Sequence, residues 1–255
     1  MASEAADLRL SFPCSGNDLT AAEACEQRVF GRRYGNTEEQ FRAEYGPYAA
    51  GTLFGAVLRE DGRALGTVRV LRGGADGLKT LQDAAAPPWS LPVDAVCRST
   101  GLDPESTWDV ATFGVDTDGH GAGSRRVTLA LLALLFAAMR DNAATSFVAI
   151  LDEGARRPFA ALGVQVADLP GASPAGYLGS PASVPVYAHL SDLHHRHGSG
   201  PAELHGQVFH GRGIAGVDPE ATSAGRFATT AVLLSQGRSA PQMGAEVPSG
   251  APARL

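Results

Sequence analysis

Residues 112–132, TFGVDTDGHGAGSRRVTLALL, set a short apolar run, a glycine-rich turn and a long apolar segment end to end. The front belongs to TWDVATFGVD (107–116), which alternates in part between turn residues and predicts a strand. The back runs into Val127–Met139 and predicts a buried helix from about Ser124 to Asn142, since thirteen residues fall short of the roughly 18 to 20 that span a bilayer. Strand, turn and helix in that order give the turn two readings. Free amides and a partial positive charge at the helix start attract an anion, Gly119, Gly121 and Gly123 let it approach the backbone, and Ser124, Arg125 and Arg126 add a hydroxyl and two cations. Alternatively, in a chain with 31 glycines, the turn only reverses direction. The strand before it and the helix after it favour the anion.

Working outward, SFVAILD (146–152) reads as a buried strand, and 155–162 as a helix closing at Gly163. PVYAHLSDL (185–193) reads as a late strand. Upstream, Asp61-Gly62 joins TLFGAVLRE and ALGTVRVLR into an antiparallel hairpin. Thr20–Tyr34 carries acidic residues early and arginines late, as a helix dipole prefers. Thr37-Glu38-Glu39-Gln40 is a capping box opening a second, short helix to Tyr45. The expected class is mixed α/β, with no internal repeat.

The chain has 255 residues, 44% hydrophobic and 19% charged, enough for one globular domain with extended ends. Its formal charge of -6 opposes general affinity for nucleic acid, which requires clustered cations. Cys14, Cys25 and Cys97 are odd in number and widely spaced, indicating neither a disulfide framework nor a metal knuckle. No secretory signal or membrane span is visible, so a cytoplasmic protein is expected. Residues 1–8 and 236–255 are expected to be disordered, with a folded domain over 9–197 and an extension over 198–235. The run His194-His195-Arg196-His197, near His205 and His210, lacks the spacing of a metal site and is expected in a solvated loop. No metal is expected.

These motifs together resemble the GNAT superfamily of N-acyltransferases: a strand, a G-x-G turn at Gly121-Ala122-Gly123, an apolar helix, a strand, then Arg156, Phe159, Leu162 and Gly163. Within it, the likeness is to acyl-homoserine lactone synthases and N-acyl amino acid synthases. Their strand motif resembles Trp108-Asp109-Val110-Ala111-Thr112-Phe113-Gly114-Val115-Asp116. Gly66-Thr67-Val68-Arg69-Val70-Leu71 resembles an earlier motif, and Arg28-Val29-Phe30 with Arg32, Arg33 and Tyr34 an N-terminal one. The resemblance spans about 19–193. It implies a mixed, mainly antiparallel GNAT-like sheet flanked by helices.

The resemblance also implies transfer of an acyl group from a coenzyme A thioester, or from the phosphopantetheine arm of an acyl carrier protein, to a small-molecule amine such as an amino acid. The donor phosphates would lie at Gly119, Gly121, Ala122, Gly123, Ser124, Arg125 and Arg126. The thioester carbonyl would lie near Phe113, Gly114 and Val115, where the central strand opens. Asp109, placed by alternation on the face of Ala111, Phe113 and Val115, would take the amine proton, or pair with Arg69. Trp108, Phe30 and Tyr34 would line an acyl or acceptor pocket with Arg28 and Thr112 nearby, and Arg69 would bind an acceptor carboxylate or pair with Glu44 or Asp109. Tyr177 and Tyr187 are candidate acids for the departing thiolate. Two positions depart from the family: Asp118 stands where an Arg or Gln is usual, and Thr112 where lactone synthases carry the arginine of their S-adenosylmethionine site. Alternatives are a GNAT-like binding or regulatory domain without turnover, and a thioester hydrolase or decarboxylase using the same cleft.

Overall fold

The structure is a computed structural model describing residues 8–73, 78–116, 121–198, 201–220, 222 and 225. One compact unit ends at Gly225; residues 1–7, 117–120 and 226–255 lie outside the described residues. The expected disordered tail, 236–255, and both Asp118 and Gly119 therefore fall outside them.

The first helix, α1 (Gly16–Tyr34), has Asp18 in its first turn and Arg32 and Arg33 in its last, and ends at Gly35 with φ 73°. It starts at Gly16, four residues before the expected start at Thr20: Ser15 is the N-cap, and the Thr20 hydroxyl donates to the Gly16 carbonyl. The second, α2 (Glu38–Tyr45), carries both bonds of the expected capping box between Thr37 and Gln40. Strands β2 (Thr52–Arg59) and β3 (Ala64–Arg72) form the expected hairpin. Its loop has three residues rather than two, because Arg59 N–H bonds the Arg63 carbonyl and Gly62, at φ 82°, closes the turn.

Four further elements match their sequence patterns: β4 (Thr107–Val115), α5 (Gly121–Asp141), β5 (Ser146–Asp152) and α6 (Glu153–Ala161). Strand β8 (Ser180–His189) stops before the expected end, since Leu190 opens α7 (Leu190–Gly198). The histidine run is thus helical, not a loop. The sequence reading missed β1 (Leu8–Ser11), α3 (Lys79–Ala85), α4 (Val93–Thr100), the short β6 (Ala167–Asp168) and β7 (Ala175–Tyr177), and α8 (Ala202–His210). These are short or packed in trans, so no long periodic run announces them.

All eight strands join one sheet in the order β1-β2-β3-β4-β5-β8-β6, with β7 also on β8. Neighbours pair antiparallel except β4 and β5, which are parallel. Helix α5 covers one face: a Cβ on Gly66 would meet Val127 at 2.9 Å, and one on Gly55 would meet Leu134 at 3.3 Å. Helix α1 covers the other, where a Cβ on Gly114 would meet Val29 at 3.1 Å and Phe30 at 3.2 Å. Leu131, Leu132 and Leu134 of α5 are buried, each contributing about 1.5–3 kcal/mol. Among the described residues no helix is long and apolar enough to cross a membrane.

The far side of α5 is covered by α8, which lies within the span expected as an extension. Phe209 of α8 stacks on Phe136 at 4.7 Å, and the Gly216 carbonyl accepts from Leu8 N–H at 2.8 Å.

Candidate functional site

The parallel pair explains where a cleft can form. β4 and β5 pair only from Thr107 opposite Ser146 to Asp109 opposite Val148. Beyond that, β4 continues along β3 to Val115 and β5 continues along β8 to Asp152. The strands part, and a cavity of about 330 Å³ occupies the gap. Val110–Val115 form one wall and Ile150–Asp152 the other, with Ser124 and Thr128 of α5 on one side and Phe30, Tyr34, Phe41, Glu44 and Tyr45 on the side of α1 and α2. Of the sequence-derived candidates, Phe30, Tyr34, Thr112, Phe113, Gly114, Val115, Ser124 and Tyr177 meet at this cavity.

Within the gap, β4 carries a bulge. Arg69 of β3 faces Thr112 and Val70 faces Val110, leaving Ala111 without a partner in the register. One extra residue reverses the alternation of everything beyond it. Asp109 therefore does not share a face with Phe113 and Val115, as simple alternation requires. Thr112 and Gly114 turn toward α1, while Phe113 meets Phe159 of α6 edge-on at 4.9 Å.

Asp109 is fully buried and accepts from the backbone N–H of Thr80 at 2.5 Å and its hydroxyl at 2.9 Å. Burial pushes its carboxyl up to about 7, against the opposing pull of the two Thr80 bonds. It does not line the cavity. It ties β4 to the start of α3.

Arg69 pairs with neither Glu44 nor Asp109. Its partner is Glu26 of α1, bonded through Nε at 3.0 Å and a terminal nitrogen at 2.5 Å, and Thr112 donates its hydroxyl to the same carboxylate at 2.5 Å. The guanidinium lies 4.2 Å from the Tyr45 ring centre and 4.5 Å from that of Phe54. Glu26 was missed, although a carboxylate on the same helical stripe as Ala22 and Val29 is a legible signal: a buried charge needs a partner. Arg69 is thus paired with Glu26 and does not line the cavity.

Two other candidates also lie away from the cavity. Trp108 stacks on Phe12 at 6.0 Å in the core. Arg28 turns to Asp116, which is buried and also receives Arg32, one helical turn on, at 3.3 Å and Arg63 at 2.9 Å. A carboxylate buried at the end of β4 draws the nearest guanidiniums to it. On α5, Gly121, Ala122 and Gly123 form the first turn, followed by Ser124, an exposed Arg125 and a half-buried Arg126. Arg156 of the sequence motif pairs with Asp168 at 2.8 Å, outside the cavity.

The walls also hold Asp152 and Glu44, which sequence reasoning did not select as site residues. Asp152 caps α6 by accepting from Ala155 N–H at 2.7 Å, and Tyr34 donates to it at 2.5 Å, with Arg33 at 3.3 Å. Burial opposes its ionisation, but the bonds from Tyr34, Ala155 and Arg33 outweigh it and hold the carboxyl below its usual value. Burial and the Asp152 bond push the Tyr34 phenol up to about 12. At the other end, Glu44 meets buried Lys79 at 2.9 Å, and Lys79 also contacts Asp83 at 2.5 Å and the Tyr177 hydroxyl at 2.9 Å. Burial raises the Tyr177 phenol well above its usual range, with Asp83 adding to it.

Elsewhere, burial pushes the Cys14 thiol up to about 11 and that of Cys25 up to about 12, leaving both unreactive near neutral pH. The His194 ring lies 4.2 Å from that of Phe209, and that of His205 at 5.1 Å. Among the described residues no group of His, Cys, Asp or Glu is arranged to hold a metal ion.

The mixed sheet parts at its parallel pair, with a cavity in the opening and a glycine-started helix beside it, and this GNAT-like fold is shared with solved structures. An N-acyl amino acid synthase from uncultured soil microbes, FeeM, shares it with TM-score 0.55 at 10% identity, over 75% of this chain and 95% of that one. The CoA-dependent acyl-homoserine lactone synthase BjaI, solved with SAM and isopentyl-CoA, has TM-score 0.50 at 17% identity, over 76% and 90%. No family model and no curated protein sequence matches the chain.

Proposed function

We propose that the protein is an N-acyltransferase that moves an acyl group from a thioester of coenzyme A, or of a carrier-protein phosphopantetheine, to a small-molecule amine. The observation that carries this reading is the cavity between the parted β4 and β5, reaching from Ser124 and Thr128 on one side to Phe41 and Tyr45 on the other. A thioester entering beside α5 would lay its carbonyl along the β4 backbone at Phe113–Val115, where strand amides stabilise a developing oxyanion. Its phosphates would sit at Gly121–Arg126, where helix amides and two arginines offset their charge.

In the reaction, the nitrogen of an uncharged amine attacks the thioester carbon. A C–N bond forms, the C–S bond breaks, the amine gives up one proton and the leaving thiolate takes one. Tyr34 and Asp152 are the groups proposed to handle these protons: the carboxylate stays ionised and able to accept, while the phenol stays protonated and able to donate. Asp109 is proposed to act through position, holding β4 against α3. Apolar walls from Phe30, Phe113, Ile150 and Phe159 suit an acyl chain and exclude water.

The test is incubation with acyl-coenzyme A thioesters and a panel of amines, following free thiol and product mass together. Amine-dependent thiol release matched by amide is the expected result. Thiol released equally without amine would identify a hydrolase, and absence of both donor binding and thiol release would refute catalysis.

A further inference from the structure

We infer that the acceptor is a diamine or longer polyamine, held through one ammonium at Glu44 while its other, uncharged amine faces the donor carbonyl. This rests on the acyltransferase reading above. Among the described residues, the charged groups lining the cavity are Arg33, Glu44 and Asp152, one cation against two carboxylates, and Arg33 is itself directed at Asp152. Arg69, the guanidinium that the family resemblance would offer to an acceptor carboxylate, is bound by Glu26, which also accepts from the Thr112 hydroxyl, among aromatic rings. An amino acid acceptor would thus bring its carboxylate to a wall already carrying excess negative charge, at a Coulombic cost.

The Glu44 end favours a cation for a further reason. Lys79 is shared between Glu44 and Asp83, so two carboxylates divide one ammonium, and the buried Asp109 lies within electrostatic reach of both Lys79 and Asp83. Glu44 is the more exposed carboxylate of the pair, with side-chain exposure of 36% against 25% for Asp83. Ser180, 7% exposed, also lines the cavity, and its hydroxyl has no hydrogen-bond partner. A buried hydroxyl left without a partner is costly, and an amine N–H supplies one. A monoamine bound at Glu44 would be fixed as an ammonium and unable to attack. Two amines separate the roles of anchor and nucleophile.

The experiment uses the full chain and three probes of equal length, pentane-1,5-diamine, pentan-1-amine and 5-aminopentanoate, titrated calorimetrically with and without hexanoyl-coenzyme A. The diamine is expected to bind about 10-fold or more tightly than the monoamine, and 5-aminopentanoate most weakly, with diamine affinity falling as salt is raised. Glu44→Gln should erase the diamine's advantage, and Ser180→Ala should weaken all three amines alike. The inference is overturned if 5-aminopentanoate binds as well as the diamine, if none of the three binds at millimolar concentration, or if folded Glu44→Gln keeps the advantage. Thiol release separates the two readings. Transfer to carboxylate-bearing amines in preference to the diamine would sink this inference and keep acyl transfer; diamine binding without thiol release from any donor would do the reverse.

Discussion

Removing Glu26 tests how the interior of this protein is held. Glu26→Ala deletes two bonds from Arg69 and one from Thr112. It strands a guanidinium whose side chain is 11% exposed among the rings of Phe41, Tyr45 and Phe54. Breaking one side of a buried pair costs about 3–5 kcal/mol, because the remaining charge keeps its desolvation penalty. For a unit of this size each kcal/mol moves the midpoint by about 2–4 °C, so the variant should melt about 6–20 °C lower. The double variant Glu26→Ala/Arg69→Met should recover most of that loss, since an apolar side chain leaves no charge to satisfy. Urea unfolding followed by tryptophan fluorescence on both variants measures the coupling. A single variant losing less than about 1 kcal/mol, as expected of an exposed pair like Glu38 and Arg42, would refute the reasoning, as would a double variant no more stable than the single one.

Asp109 gives a pH dependence. Its folded carboxyl titrates at about 7, above the value of about 4 of an unfolded aspartate, so the native state holds the proton more tightly and stability falls as pH rises between those values, then levels off. Asp109→Asn should remove that slope and gain stability over the parent at about pH 8 relative to about pH 5; a parallel pair of curves would show that Asp109 ionises freely. Gly55→Ala places a Cβ 2.9 Å from Phe12 and 3.0 Å from Val68, and should cost about 1–3 kcal/mol in denaturant unfolding. Gly123→Asp puts an anion on the first turn of α5 and should weaken coenzyme A binding at least about 10-fold with an unchanged circular-dichroism spectrum. Unaltered affinity would return that turn to a simple reversal. Tyr34→Phe should lower turnover more than donor affinity, because the phenol is lost while the ring stays in the wall.

The sequence by itself determined the elements whose signals are local. The capping box at Thr37 and Gln40, the Asp61-Gly62 hairpin, and the strand and helix that lie between Thr107 and Asp141 each depend on residues a few positions apart, and their spacing is visible in the chain. Their order also carried the GNAT resemblance. What only the tertiary structure decided is the content of the site. The bulge at Ala111 arises from pairing with β3, and it turned Asp109 away from the face that alternation assigns it. Glu26 meets Arg69 across 43 positions, and Tyr34 meets Asp152 across 118. Such pairs form because folding brings isolated charges and hydroxyls into the same low-dielectric space, where each must find a partner, and no period in the sequence encodes which partner is near.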